Sequence, residues 1–141
     1  MGRMNIGKVL LGGVVAGVVM NGLDYVINMH LLKSSYDAVM QARNIPLATV
    51  ESTNAMVGMI LLDFAMAILL VFVYAAIRPR FGAGPKTAVV AALILSAVTG
   101  VMAAYFVEMG FFPWGVWGPS TIASTVNMTV SGLIGAAIYK E

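Results

Sequence analysis

The chain has 141 residues, of which 60% are hydrophobic and only 10% are charged. Soluble domains average about 45–50% apolar and about 25% charged residues, so this composition excludes a disordered chain and disfavours an ordinary soluble domain. Lys and Arg together number 8 and the net charge is +2, which excludes a nucleic-acid-binding protein. Because the count of Cys is 0, disulfides, iron–sulfur clusters, cysteine-based zinc sites and thiol catalysis are excluded as well.

Four long apolar runs follow one another along the chain, and charged segments separate them. Each run supplies the roughly 20 residues that are needed to cross about 30 Å of hydrocarbon at about 1.5 Å per residue. The sequence therefore predicts an all-α integral membrane protein, a four-helix bundle in one transmembrane domain. The predicted spans are residues 9–32, 55–77, 87–108 and 116–139.

The loop between the first two spans, residues 33–54, is predicted to hold a short amphipathic helix that lies on the outer surface and ends before Pro46. The residues of its apolar face are Tyr36, Val39 and Met40. Ser34 and Asp37 have the spacing of a capping box at its start. Ser52 or Thr53 is predicted to cap the second span.

The distribution of basic residues predicts the direction of the bundle. Six of them fall near the termini and in the loop between the second and third spans: Arg3, Lys8, Arg78, Arg80, Lys86 and Lys140. Only Lys33 and Arg43 fall on the other side, so the positive-inside bias predicts that both termini are cytoplasmic. The aromatic residues predicted as outer belt or interface anchors are Phe111, Phe112, Trp114, Trp117, Tyr25, Tyr105 and Tyr139.

Small and polar residues recur at helical spacing within the spans. Since lipid gives helices no hydrophobic reason to associate, such stripes predict the contact faces. The first span carries Gly13, Gly17, Asn21, Asp24 and Asn28; the second carries Asp63 above Ala67. The third carries Ser96, Gly100, Ala104 and Glu108, and the fourth carries Ser120, Ser124, Asn127, Ser131 and Gly135.

Counting about 1.5 Å per residue from the nearest basic residue places Asp24, Asp63 and Asn127 about 20–24 Å from the cytoplasmic boundary. Asn21 lies at a similar level, and Asn28 follows one turn beyond Asp24. These five residues are predicted to form an intramembrane polar layer in the outer half of the bundle. An ionised carboxylate is costly there, and no Lys or Arg is available at that depth, so we expect at least one Asp to be protonated. The layer predicts a site that responds to protons or cations, or else a polar clamp between helices or an acid pair that is open to an aqueous vestibule.

Two further titratable residues lie near the outer interface. Glu108 ends the third span as an outer-interface acid. His30 is the only histidine, which excludes bis-His haem ligation; it could be an axial ligand of one tetrapyrrole, or an interfacial side chain that faces headgroups. No metal site and no catalytic residues are predicted, since no hydrolase or nucleotide signature occurs. We therefore expect no enzyme activity and no cofactor, apart from the alternative of a bound tetrapyrrole or lipid.

The connection between the second and third spans reads YAAIRPRFGAGPKTA over residues 74–88. Pro79 in it is predicted to end one helix, and Gly and Pro precede the next. The segment resembles the loop of an uncharacterised family of small four-helix bacterial inner-membrane proteins. Asn21 and Asp24 also resemble that family's first helix, where Glu is commoner than Asp, whereas Asn127 departs from its fourth helix, which often carries an acid. The resemblance implies a bacterial inner-membrane location and no particular activity.

Three functions follow as hypotheses. The first is a structural or accessory subunit that packs against a larger membrane complex or against itself. The second is a small proton-coupled transporter that uses Asp24 and Asp63. The third is a pigment- or haem-associated subunit of a photosynthetic or respiratory complex, which depends on His30 alone. The expected partners are the lipid bilayer and other membrane subunits or a homo-oligomer.

Overall fold

A computed structural model describes residues 4–139, and within this range the regular structure is helical, with no strand. The four long helices are α1 (Ile6–Val26, which continues as a π-helix over Ile27–Leu31), α4 (Thr53–Phe81), α5 (Pro85–Glu108) and α6 (Trp114–Ile138). Two short helices, α2 (Lys33–Ala42) and α3 (Leu47–Val50), lie between α1 and α4. All four long helices are long and apolar enough to cross a membrane. The predicted all-α four-helix bundle is therefore confirmed.

The long helices start earlier than predicted where a polar side chain caps them. The Asn5 side chain accepts a hydrogen bond from the Lys8 amide at 3.0 Å and begins α1. The Ser52 hydroxyl accepts one from the Ala55 amide at 3.3 Å, so the predicted cap of the second span is confirmed. Each cap satisfies a backbone donor that the first helical turn leaves unpaired.

The prediction that Pro79 ends the second span is wrong, because α4 continues to Phe81. A proline near a helix end removes a single backbone donor, and the turn that follows it is still closed. The Gly82 amide donates to the Arg78 carbonyl at 2.8 Å, and Gly82 has a φ of 85°, which a glycine adopts without strain. The helix therefore ends at glycine rather than at proline.

The predicted amphipathic helix is present as α2, but the predicted capping box is not. Ser34 and Asp37 lie inside the helix, and Leu32 precedes its first residue without any side-chain cap. One residue, Leu32, separates the π-helical turn from α2 and takes the N-cap position, so α2 has already begun when the chain reaches Ser34. Asp37 instead forms an ion pair with Lys33 at 3.2 Å, one turn away on the same helix.

The long helices alternate in direction, so α1 and α5 begin, and α4 and α6 end, at one side of the bundle. We name this side the terminal end and the opposite side, which holds α2 and the α5–α6 connection, the far end. α1 packs against α4 and α6, and α5 packs against α6 and α4. Large apolar side chains cover the outside of the bundle, where lipid would meet them in a membrane.

Tyrosine side chains close the terminal end. Tyr139 is only 2% exposed, and its ring packs edge-on against Tyr74 with ring centroids 6.1 Å apart. Its hydroxyl accepts a hydrogen bond from the Asn5 amide at 3.3 Å, and the Arg78 guanidinium lies 5.6 Å from the ring centre. The prediction that Tyr139 anchors the protein in the interface is therefore wrong, because its ring serves as a buried contact between the ends of three helices.

Candidate functional site

Asp24 of α1 and Asp63 of α4 meet between the two helices. Their carboxyl groups lie within hydrogen-bonding reach of each other. Because α1 and α4 run in opposite directions, the two acids can meet only if they lie at the same height along the bundle. The structure therefore brings the two acids to one height along the bundle, and their depth in a membrane stays a prediction. A hydrogen bond between two carboxyl groups requires a hydrogen atom, so this contact can form when the pair carries one proton or two.

Asn127 of α6 fixes Asp24 from the other side. Its side-chain amide donates to the Asp24 Oδ1 atom at 2.6 Å and to the Met20 carbonyl at 3.1 Å. The Ser131 hydroxyl then donates to the Asn127 carbonyl oxygen at 3.0 Å. Asn127 is 2% exposed and Ser131 is 0% exposed. Asp24 is thus the link between α4 and α6, held by an amide that is itself fully hydrogen-bonded.

The other two predicted members of the polar layer have different roles. Asn21 donates to the Gly17 carbonyl at 2.9 Å and to the Ile60 carbonyl of α4 at 3.4 Å, so it joins α1 to α4 just below the acids. Asn28 is exposed, and its amide bonds back to the Asp24 backbone carbonyl at 2.8 Å. The structure therefore brings together Asn21, Asp24, Asp63 and Asn127, whereas the Asn28 side chain lies one turn beyond them.

A groove of about 590 Å³ separates α1 from α4 at this level. Both carboxyl groups line it, together with Asn21, Asn28 and a largely apolar wall that includes Met29, Met56 and Met59. Several lining side chains are well exposed, such as Tyr25 at 61% and Leu62 at 69%, so the groove opens on the flank of the bundle. The acids are therefore partly enclosed by protein and partly open to whatever surrounds the helices.

Tyr36 of α2 covers the far end of the site. Its hydroxyl group lies within hydrogen-bonding reach of Ser120 on α6, and the ring is close enough to Asp24 for that carboxylate to act on it electrostatically. Burial raises the pKa of the Tyr36 hydroxyl above its ordinary value of 10.0; the hydrogen bond with Ser120 lowers it in part, and the charge of Asp24 raises it further. Tyr36 therefore remains neutral at physiological pH.

The two outer titratable residues lie away from the acid pair. Glu108 is exposed at the last position of α5. His30 is exposed in the π-helical turn, and its ring packs edge-on against Tyr25 with centroids 6.2 Å apart. Within residues 4–139, no group of three or more His, Cys, Asp or Glu side chains is arranged to hold a metal ion.

Two parts of the site were not identified from the sequence as members of it. The methionine wall carried a readable signal, since Met56 and Met59 precede Asp63 by seven and four residues and so share its helical face. Tyr36 was assigned only to the apolar face of α2. Its contact with Ser120 depends on how α2 folds back over the bundle, which no local pattern specifies.

Comparisons with protein-family models, with curated proteins and with solved structures give no match for this chain. The resemblance to a family of small bacterial membrane proteins therefore stays a prediction. The function has to be argued from the site itself.

Proposed function

We propose that this protein is a small integral membrane carrier that couples the movement of protons to that of a second solute at the Asp24–Asp63 pair. The observation that carries the proposal is the position of both carboxyl groups on a groove of about 590 Å³ that opens on the flank of the bundle. Acidic side chains within membrane spans are costly and commonly belong to ion or proton pathways.

A purely structural clamp would favour a different arrangement. Interhelical polar contacts stabilise a bundle best when they are enclosed and every partner is satisfied, as Asn127 and Ser131 are here. Asp24 takes part in that enclosed network through one oxygen, yet both Asp24 and Asp63 also line open space. The amide network supports the bundle, and the exposed side of the carboxyl pair is left available to a solute.

The chemistry follows from the charge that the pair can hold. With two protons the pair is neutral, and with one shared proton it carries a single negative charge. A carrier that loses a proton can therefore accept a cation in its place, and regaining the proton releases the cation. Asn127 keeps Asp24 oriented in both states because its own carbonyl and amide are held by Ser131 and by the Met20 carbonyl.

We further propose that the protein lies in a bacterial cytoplasmic membrane with both termini in the cytoplasm. The support is the charge of the sequence, since the connection at residues 82–84 and its flanking helix ends carry Arg78, Arg80 and Lys86 at the terminal end. In this orientation the groove lies in the outer half of the bilayer. Cysteine accessibility of a Gly82→Cys variant in intact cells tests the orientation: labelling by an impermeant reagent without lysis would contradict it.

The coupling is tested in liposomes that contain the protein and a pH-sensitive dye and that hold a pH gradient. Alkali cations, lipophilic organic cations and small carboxylate anions are added in turn. We expect one class to dissipate the gradient with the wild-type protein and not with Asp24→Asn or Asp63→Asn. Glu108→Gln is the matched control, because it removes an acid outside the groove. If no class acts, or if the Asp variants act like the wild type, the proposal fails.

A second candidate function is an accessory subunit that packs against a larger membrane complex or a second copy. It is favoured by glycines of the spans that face open space. A Cβ atom added at any of these positions would meet no other atom within 4 Å: Gly22, Gly58, Gly115 and Gly118. Small residues on an outer face let another helix approach closely. Isolation in a mild detergent with a partner in fixed stoichiometry would support this candidate, and a monomer that binds no partner would count against it.

The pigment- or haem-associated alternative receives no support from the geometry. His30 is exposed, and its ring packs against Tyr25. An absorption spectrum of the purified protein without tetrapyrrole bands would remove this alternative.

A further inference from the structure

We infer that the groove between α1 and α4 binds a monovalent lipophilic organic cation, which reaches Asp24 and Asp63 sideways from the bilayer. The inference rests on the proposed function, since it names the class of the second solute. The charge of the groove disfavours anions, its apolar wall disfavours metal ions, and its opening on the flank favours a solute that dissolves in lipid.

The charge of the groove selects a cation. Two carboxyl groups line it, and none of the described residues that line it is Lys, Arg or His. With one shared proton the pair carries a single negative charge, which one monovalent cation neutralises. An anion would meet that charge without any compensating group, at a cost that the low dielectric of the surroundings increases.

The wall of the groove selects an organic cation rather than a metal ion. Hard cations such as alkali and alkaline-earth ions require a shell of about six oxygen ligands. Here the groove is mostly apolar, and Met29, Met56 and Met59 make up much of the wall beside Tyr25 and Phe64. Aromatic faces attract organic cations, and flexible thioether side chains fit ligands of different shapes. The volume of about 590 Å³ lies within the range of about 300–1,000 Å³ that is typical of small-molecule sites.

The opening of the groove selects a solute that partitions into lipid. The side chains at its rim are apolar and exposed, with Val18 at 61% and Leu62 at 69%. These helices are long and apolar enough to span a membrane, and in that setting the apolar rim would lie against acyl chains. At the far end, the Tyr36 hydroxyl lies within hydrogen-bonding reach of Ser120 and close enough to Asp24 for that charge to act on it. A lipophilic cation dissolved in the bilayer reaches the acids through the opening on the flank.

Binding exchanges one particle for another. The pair that holds two protons is neutral; one proton leaves to solution, the monovalent cation takes its place, and the pair with its ligand is neutral again. The second proton stays between Asp24 and Asp63. Cation binding is therefore expected to release one proton and to weaken as the pH falls.

The test is a binding measurement on the full chain in lipid nanodiscs with radiolabelled tetraphenylphosphonium, and empty nanodiscs provide the background. Tetraphenylborate, which has the same shape and the opposite charge, is the matched probe. We expect saturable binding of the cation at one site per chain and none of the anion. Asp24→Asn and Asp63→Asn are each expected to weaken binding by about tenfold or more, whereas Glu108→Gln leaves it unchanged.

A second measurement needs no variant, in case an Asp variant does not fold. A lipid-soluble carbodiimide modifies protonated carboxyl groups in membranes, and tetraphenylphosphonium should protect Asp24 and Asp63 of the wild-type protein from it, as read by peptide mass. Absence of saturable binding, equal binding of tetraphenylborate, or modification that the cation does not reduce would overturn the inference.

The two proposals fail in different ways. If an alkali cation or a carboxylate dissipates the pH gradient in liposomes and tetraphenylphosphonium does not bind, the carrier function stands and the inference is wrong. If tetraphenylphosphonium binds at the acids but no solute dissipates the gradient, the binding site stands and the carrier function is wrong.

Discussion

The contact between α1 and α4 has two halves that differ sharply. Toward the terminal end, glycines of α1 lie directly against α4: a Cβ atom placed on Gly13 would come within 2.6 Å of the Ile68 Cα atom, and one on Gly17 would collide with the Phe64 ring. Toward the far end the same two helices are separated by the groove that holds Asp24 and Asp63. We name the part of this contact around Gly13 and Gly17 the closed half, and the part around Asp24 and Asp63 the open half.

The difference shows how a small bundle makes room for a site without a loop or a second domain. At the glycine positions no side chain fits between the backbones, and α6 strengthens this closed half, since a Cβ atom on Gly12 would lie 2.9 Å from the Gly135 carbonyl oxygen. In the other half, polar side chains join the two helices beside the groove.

The largest effect is expected from breaking the closed half with Gly13→Leu. The new side chain would meet the Ile68 backbone, which cannot move aside without shifting α4. Overpacking of this kind typically costs about 1–3 kcal/mol and sometimes more. We expect a large fall in the yield of monodisperse protein and in its thermal midpoint, measured by size exclusion after heating.

Gly58→Leu is the control for this prediction, because a Cβ atom at Gly58 meets nothing within 4 Å. It adds the same side chain to the same pair of helices on an open surface. Equal thermal midpoints for the two variants would show that the glycine contact does not hold the closed half together.

A smaller loss of stability is expected from Asn127→Ala, which removes the amide that holds Asp24 from the side of α6. The half-buried Asp24 carboxyl group and the buried Ser131 hydroxyl would each lose a partner. A buried polar group that loses its partner costs about 1–3 kcal/mol. We expect the free energy of unfolding in a denaturing-detergent titration to fall by about that amount.

Thr129→Val is the matched variant on the same helix, since the Thr129 hydroxyl bonds only to the Thr125 carbonyl within α6, at 2.8 Å. We expect its change to stay within about 0.5 kcal/mol. If Asn127→Ala were equally mild, the network between α1 and α6 would contribute little to stability.

The smallest effect concerns the cover of the open half and appears as a pH dependence. Burial raises the pKa of Tyr36 above 10.0 in the folded protein. Below pH 10 the hydroxyl is neutral in both states and its contribution to stability is complete; as the pH rises further, the unfolded chain ionises first, and stability is lost. Tyr36→Phe should make the decline of stability above about pH 10 shallower.

Tyr25→Phe serves as the comparison for that measurement, because Tyr25 is 61% exposed. It should leave the alkaline decline as steep as in the wild-type protein. A decline that is identical in all three proteins would mean that the Tyr36 hydroxyl is not buried in the folded state.

Much of this architecture could be predicted from the sequence because it depends on length and height alone. Apolar runs of sufficient length predict the four spans, and a fixed rise per residue predicts that Asp24, Asp63 and Asn127 share a level. These quantities do not depend on how the helices rotate or cross. For this reason a shared height for Asp24 and Asp63 along the bundle could be predicted before any packing was known.

The features that were predicted incorrectly or not at all depend on long-range geometry. The groove depends on how α1 and α4 pack over their whole length, and a stripe of small residues such as Gly13 and Gly17 predicts a contact face but not the space beside it. Tyr139 is buried because Tyr74 and Asn5 happen to meet it at the terminal end. The missing capping box at Ser34 reflects the start of α2 directly after Leu32, which a local pattern cannot indicate.

The π-helical turn over Ile27–Leu31 affects how the chain tolerates the loss of a residue. In the π-helical turn the Leu32 amide bonds to the Ile27 carbonyl at 2.8 Å, five residues back, so the turn contains one residue more than an α-helix requires. Deleting a single residue from it would restore ordinary α-helical winding and leave α2 close to its present orientation, because the wide turn takes up the extra residue within one turn. The same deletion from an ordinary turn of α1 would instead rotate the chain beyond it by about 100°, and Tyr36 would then point away from Ser120.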